Sequence, residues 1–372
     1  MKFNTHSSFE SLARINENIL AKNPFIGSAF LSAFQKHHKE NIKHYFLSFE
    51  DESSEGFIYA QQFKIGGRQI KGYQKKNNIR KRINSFFLGM FNFKIIGLGN
   101  NFLTNEPSVS LQGSIKNQDL FLKKLIKKFS SEECVSKFIF PDHFFETVGI
   151  KSPEEKFPNL IALEVEEDMS IDVRSHWQNL EDYSKDLSKK YRKRIKSVFA
   201  KSEKLRFKIL NQEDLKNNNE KMQNLFNNVR ESSTFYSVPF NVNSYADFQK
   251  IDNPKSIIYG CYLENELIAF SSEWITNNKL YSYFIGLDYN YSRAHSVYDR
   301  ILYNTISNGI EKGVETIVFG RTAGEFKSNF GAVPKRSFIY IYLKNPILRF
   351  FLRPFLSFIK PIKWIQRNPF KS

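Results

Sequence analysis

Cysteine is almost missing from this chain of 372 residues. Cys134 and Cys261 stand far apart without a paired spacing, so neither a disulfide framework nor a thiolate zinc cluster can be built, and a reducing compartment fits. Long apolar runs are also missing: no stretch reaches the roughly 18 to 20 apolar residues that span a bilayer. The start, Lys2-Phe-Asn-Thr-His-Ser-Ser-Phe-Glu10, lacks the apolar centre of a signal peptide, which predicts a cytoplasmic protein. His6, His37, His38, His44, His143 and His176 show no His-x-x-x-His or Glu-x-x-His spacing, so no metal site is expected. The Gly-x-Ser-x-Gly elbow, the phosphate-loop Gly-Lys-Ser/Thr and the dinucleotide Gly-x-Gly-x-x-Gly are absent, which removes the usual support for hydrolase, NTPase and dehydrogenase readings.

Acidic residues are few beside basic ones, 38 against 55, and the formal charge of +17 favours an anionic partner. A phosphate-bearing co-substrate, a nucleic acid and an anionic membrane surface all meet that requirement. The 41% hydrophobic and 25% charged fractions are those of a folded globular chain, and its length predicts two domains. The 38 phenylalanines predict aromatic-filled cores.

Asn23-Pro24-Phe25 opens a turn into a helix from Ser28 to Phe34. Alternating strands at His44–Phe49 and Gly56–Ala60 flank an acidic turn as a hairpin, and the basic, glycine-containing stretch Gly66–Arg82 reads as a mobile loop. A strand at Phe93–Gly97, a helix at Asp119–Phe129 and a strand at Lys137–Phe140 complete a first domain, 1–157. The second, 158–344, opens on the strand Leu160–Val165, followed by a long basic helix Leu180–Ser202, a strand Leu205–Leu210 and a helix Lys216–Ser232. The hairpin Ser256–Tyr262 with Leu267–Trp274 comes next, then a strand Leu280–Gly286, a helix Val297–Lys312, and strands Thr316–Phe319 and Ser337–Leu343. Helix, hairpin, strand, helix, strand thus recurs, which predicts an α/β (α+β) fold of two tandem domains of one kind, each a mixed, mostly antiparallel twisted sheet flanked by helices. Residues 345–372 form a basic, apolar tail without one acidic residue. Pro354 and Pro361 would break any long helix there and Arg353 interrupts the apolar run, so the tail can lie on an anionic membrane but not cross it.

The most informative stretch is the strand Glu315-Thr-Ile-Val-Phe-Gly320 followed at once by Arg321-Thr-Ala-Gly-Glu-Phe-Lys-Ser-Asn-Phe-Gly-Ala-Val-Pro334. A buried strand that stops at a glycine and runs into ionisable residues places them where a sheet end opens into a crevice. Arg321 at that end suits a carboxylate or phosphate. Together with Lys189-Lys-Tyr-Arg-Lys-Arg-Ile-Lys196 after Trp177 and Leu187, and with the Asn23-Pro24-Phe25 opening, this order resembles the GNAT-type acyltransferases, in particular the FemAB-like branch related to peptidoglycan aminoacyltransferases. The resemblance covers roughly residues 23 to 345.

It implies transfer of an acyl or aminoacyl group from an activated donor to an amine, on a cell-envelope or lipid precursor. No tightly bound cofactor is implied, only acyl-CoA or another activated acyl donor as co-substrate. Lys327, in a Phe-Lys-x-x-Phe-Gly setting, takes the position of a lysine near the reacting carbonyl, where a fixed cation stabilises the developing oxyanion; the alternative is a surface pair with Glu325. Glu273 matches the carboxylate that deprotonates the amine, the alternative being an outward, solvated side chain. Tyr283, with Tyr281 and His295, offers a hydroxyl or acid near the substrate. Arg293 and Ser296, in Tyr291-Ser-Arg-Ala-His-Ser-Val-Tyr298, take the place of the anion cradle at a helix N-terminus. Ala294 and Ser296 replace its glycines, so acetyl-CoA is not implied as donor, and acyl carriers or aminoacyl-tRNA remain open. Nucleic acid is a partner only in that last case. Lys190 and Arg194 either present a cationic face to a phosphate-bearing substrate or form a solvated helix face.

Overall fold

The computed structural model describes residues 1–6, 8–9, 17–20, 22–66, 93–104, 106–133, 135–233, 238–276, 278–357 and 361–371. Cys134 and, from residue 67 onward, the loop expected at Gly66–Arg82 lie outside them. In chain order the strands are β1 (Lys2–His6), β2 (Lys43–Glu50), β3 (Ser54–Ile65), β4 (Phe93–Leu98), β5 (Val109–Gly113), β6 (Lys137–Pro141), β7 (Leu160–Asp172), β8 (Leu205–Ile209), β9 (Lys255–Leu263), β10 (Glu266–Ile275), β11 (Lys279–Leu287), β12 (Thr316–Gly320) and β13 (Val333–Leu343). The principal helices are α1 (Ser28–His38), α2 (Gln118–Glu133), α3 (Leu180–Asp186), α4 (Lys189–Lys201), α5 (Asn219–Ser232), α6 (Ser244–Phe248), α7 (Val297–Glu311), α8 (Gly324–Ser328) and α9 (Pro346–Ser357).

The chain forms two compact units that exchange segments: one comprises residues 1–165, 233–240 and 337–361, the other 166–232, 241–336 and 362–372. The expected boundaries at 157 and 344 are therefore crossed by the chain. The tail 345–372 is no separate segment, since its first part belongs to the first unit and its end to the second.

In the first unit the strands run β1-β2-β3-β4-β6-β13, with β5 added to β3. All neighbours are antiparallel except β4 and β6, which pair in parallel at Ile96↔Phe138 and Gly97↔Ile139. Phenylalanine fills this core: Phe49, Phe121, Phe129, Phe138, Phe140, Phe144 and Phe145 are all buried there. Tilted and edge-on ring pairs, such as Phe49 with Phe121 at 5.1 Å, account for the aromatic excess as packing.

In the second unit the strands run β7-β12-β11-β10-β9-β8. The only parallel neighbours among them are β11 and β12. Both units thus share one plan, an antiparallel meander and then a parallel pair, closed by an antiparallel strand that enters from the other half of the chain. Strand β10 is buried along nearly its whole length because it is covered on both faces. Phe270, Ser272 and Trp274 meet Tyr245 and Phe248 of α6 on one face. Ala269 and Glu273 meet α7 on the other.

The long helix expected over 180–202 is two helices. Leu187 between them is extended and bridges Phe370, and the Ser188 N–H donates to the Pro369 carbonyl. The chain end is thus a strap across the second unit. Trp364 Nε1 donates to Glu167, Gln366 to the Ala332 carbonyl, and Arg367 pairs with Glu325 at 2.5 Å. The Phe370 ring lies 5.7 Å from Trp177 and 6.0 Å from Tyr183, under the Arg174 guanidinium at 4.2 Å. Gly331 is required beneath it: its φ is +90°, and a Cβ there would come within 2.4 Å of the ring. Phe370→Ala is expected to destabilise the second unit by about 2 kcal/mol, below the 3–5 of a fully buried phenylalanine because the ring is half-buried. A thermal melt should show the midpoint lower by roughly 4–8 °C.

The tail also holds a helix, α9, and Pro354 falls inside it rather than ending it. Among the described residues, no helix is long and apolar enough to cross a membrane.

Candidate functional site

The parallel pair β11 and β12 is joined only at Lys279↔Thr316, Leu280↔Ile317 and Tyr281↔Val318. Past that point the two strands part. On β11 the cause is a bulge: Ser271 and Glu273 of β10, two residues apart, face Ile285 and Ser282, three apart. Ser272 fills the gap, its Oγ accepting the Phe284 N–H at 3.0 Å and donating to the Phe284 carbonyl at 3.0 Å. The Tyr245 hydroxyl stands 2.9 Å from the same Oγ and supplies its remaining partner. The extra residue turns Tyr283 and Phe284 to one face, where their rings meet Trp274 and Phe226. Tyr283 therefore stands among packed aromatics, on the face opposite Glu273.

On β12 the cause is the turn that follows. Gly320 and then Thr322 and Ala323 take φ values of +70°, +70° and +52°, which for the two residues with a Cβ costs about 1–2 kcal/mol each. Lys327 holds that turn. It is buried, with 5% of its surface exposed, and its Nζ donates to the carbonyls of Phe319 at 2.7 Å, Gly320 at 3.1 Å and Arg321 at 2.7 Å. An ammonium has three hydrogens, and all three are used. Burial pushes its pKa down to about 8, while the charges of Asp168 and Glu166 pull the other way. The expected aim at a substrate oxygen is thus corrected: this cation is spent on the backbone at the strand end. The expected alternative fails as well, because Glu325 pairs with Arg367. Arg321 is half-buried at the start of the same turn.

Glu273 is 1% exposed, so the solvated alternative is excluded. Asn308 of α7 donates its Nδ2 to both carboxylate oxygens, at 3.0 and 3.1 Å. Burial pushes the pKa up to about 7, opposed by Asn308, Thr305, Lys312 and Tyr259. In register it faces Ser282 on β11 and Ile257 on β9, one pair beyond the last β11–β12 contact. Near neutral pH it can take or give a proton at the level where the strands part.

A hollow of about 860 Å³ opens at the start of α7, lined by residues that include Tyr289, Arg293, Ser296, Tyr298, Asp299 and Phe326. Ser296 is the N-cap of α7 in the left-handed conformation, φ +50°, with no side-chain cap bond. That is the backbone a glycine would adopt at this place. Arg194 reaches the same region by donating to Asp299 at 2.8 Å, with its guanidinium 5.3 Å from both the Phe326 and Phe330 rings. Arg293 and Arg194 against Asp299 leave one net positive charge at a helix N-terminus, an arrangement that accepts an anion.

The structure thus brings Arg293 and Ser296 to one hollow, holds Arg194 behind its lining through Asp299, and sets Glu273, Lys327 and Tyr283 apart from that lining. Lys190 is exposed on α4, its ammonium 5.4 Å from the neighbouring Tyr191 ring, and does not line the hollow. Tyr281 is buried, and His295 approaches the Lys201 carbonyl at 3.4 Å. The reading from sequence missed Asp299 and Phe326 as lining, and Asn308 as the partner of Glu273. Asp299 carried a signal, an acid in the first turn of a helix beside a basic loop; Asn308 carried none.

Residues 185–328 match the family model described as an acetyltransferase (GNAT) domain. Among solved structures, FemX aligns over 95% of this chain and 100% of its own at 9% identity with a TM-score of 0.51. A conserved protein of unknown function from Bacteroides thetaiotaomicron aligns over 92% and 100% at 11% identity with a TM-score of 0.50. A tandem GNAT protein from the clavulanic acid biosynthesis pathway aligns over 93% and 99% at 7% identity with a TM-score of 0.45. At these identities the likeness is one of fold. No curated protein matches the chain in sequence.

Proposed function

We propose that the chain is an N-acyltransferase that moves an acyl or aminoacyl group from an activated donor to an amine on a cell-envelope or lipid precursor, a reading supported by the match of residues 185–328 to the acetyltransferase (GNAT) domain and by the fold shared with FemX. The observation that carries this reading is the parting of β11 and β12 in the unit whose hollow lies at the α7 N-terminus. A donor phosphate there meets Arg293, the first amides of α7 and the Arg194–Asp299 pair. The donor's carbonyl then reaches the gap between the strands. The amine nitrogen forms the new C–N bond, its proton passes to Glu273 directly or through water, and the carbonyl oxygen takes the negative charge. Collapse of that adduct expels the donor's thiolate or alkoxide. Main-chain amides at the gap stabilise the oxyanion, and Lys327 acts as a positioning residue that holds the β12 end of the gap in shape.

A second reading has an observation in its favour: the Lys327 donors are all taken, and Glu273 lies closed under α7. In that reading the GNAT scaffold is a binding protein that docks nucleic acid or an anionic membrane through its basic surface. Thermal melts with coenzyme A, acyl-CoAs, acyl carrier protein and aminoacyl-tRNA separate the two. A true donor at about a hundred times its Kd stabilises the fold by roughly 2.7 kcal/mol, and Arg293→Ala should remove most of that shift. If none of these donors shifts the melt or supports transfer, the binding reading takes over.

A further inference from the structure

Helix α9 is apolar on two sides. Its inner side is fixed within the first unit: Leu352 packs on Ile161, Leu163 and Leu343, and Arg349 donates to Asn159 at 2.5 Å. Its outer side carries Ile347, Phe350 and Phe351, spaced i, i+3, i+4 and therefore one stripe, at 66%, 75% and 62% exposure. The two phenylalanine rings pack edge-on against each other, centroids 5.5 Å apart. An apolar stripe of this kind on a surface helix marks something that covers it. The charges of the segment itself are all of one sign: Lys344 and Arg353 are exposed, and no acidic residue occurs between Asn345 and Ser372.

We propose that α9 is a membrane-surface anchor, lying flat on an anionic bilayer with Ile347, Phe350 and Phe351 below the headgroups and Lys344 and Arg353 against the lipid phosphates. Charge complementarity selects the lipid over a second copy of the chain. An isologous contact through this stripe would bring like charges together on a chain of net charge +17, whereas an anionic bilayer takes up both the rings and the cations. The helix has 12 residues, too few to span a bilayer. The inference deepens the proposed lipid or envelope acceptor by naming the surface on which the enzyme meets it. It rests on that reading only for its biological purpose, and its test has no catalytic readout, so the two can fail separately.

The test is co-sedimentation of the full chain with phosphatidylcholine vesicles, with and without phosphatidylglycerol, at low and high salt. Binding should require phosphatidylglycerol and weaken as salt shortens the reach of the charges. Phe350→Ser with Phe351→Ser should lower the partition coefficient about tenfold or more, because binding scales with the apolar area inserted, while the melting temperature stays unchanged since both rings are exposed. Arg353→Glu, which leaves the apolar stripe intact, should lower it as well and guards against a misfolded double variant. Absence of binding to anionic vesicles, or equal binding by all three proteins, overturns the proposal. So does a wild-type dimer that the double serine variant converts to a monomer, which would assign the stripe to a second copy.

Discussion

Lys327→Met should destabilise the protein by about 3 kcal/mol, because it removes three hydrogen bonds from a charged donor, worth about 1.5–3 kcal/mol each, while relieving part of the cost of burying the ammonium. Three carbonyls would lose their donor, that of Phe319 in a fully buried bond and those of Gly320 and Arg321 in partly buried ones. A buried acceptor left unsatisfied carries a desolvation penalty of about 1–3 kcal/mol. The left-handed residues Thr322 and Ala323 would then lose the side chain that fixes the turn on its strand side, and α8 would be less firmly placed. Lys327→Arg should fail nearly as badly, because a planar guanidinium cannot converge on three carbonyls as a tetrahedral ammonium does. Urea unfolding of both variants beside their transfer rates is the decisive comparison. Activity lost together with stability supports the positioning role; a fully stable methionine variant without turnover would return Lys327 to the oxyanion.

The same turn shows where the sequence is legible and where it is not. Strands β9 to β12 stand out because runs such as Leu267 to Trp274 are apolar or β-branched and bounded by turn residues. Glu273 was conspicuous for the same reason, being a charge inside such a run. Lys327 was conspicuous too, but its role was not: its partners are carbonyls, which every residue has, and the turn that converges them uses Thr322 and Ala323, which do not advertise positive φ. The bulge on β11 was hidden for a similar reason, since Ser272 and Tyr245 are 27 positions apart and neither is unusual where it stands. The break between α3 and α4 depends on Phe370, and the closing strand of each unit on a segment from the other half of the chain. Local pattern reports what a segment prefers; it does not report which distant segment completes it. The candidate site was therefore legible as a set of residue types and only partly as an arrangement, with Arg293 and Ser296 placed together and Lys327 reassigned.

Glu273→Gln should separate chemistry from stability through pH. In the folded protein the carboxyl group is pushed up to about 7 from an ordinary 4.5, so between those values the folded state holds a proton that the unfolded chain has released. By linkage the stability from this group is fully present below about pH 4.5 and is lost as pH rises through about 7, up to roughly 3 kcal/mol in all. Glutamine cannot ionise and should flatten that slope, leaving the variant more stable than wild type at pH 8. Catalysis should run the opposite way. The base is active only as the carboxylate, so the wild-type transfer rate should climb through about pH 7 while stability falls, and glutamine should remove that limb and lower the rate by about 10²–10⁴. A buried acid kept in place at the expense of folding is what a working base requires, and the paired measurements test it on one residue. If the glutamine variant gains stability and keeps both its rate and its pH limb, Glu273 is a buried structural acid, and the amine loses its proton to another group.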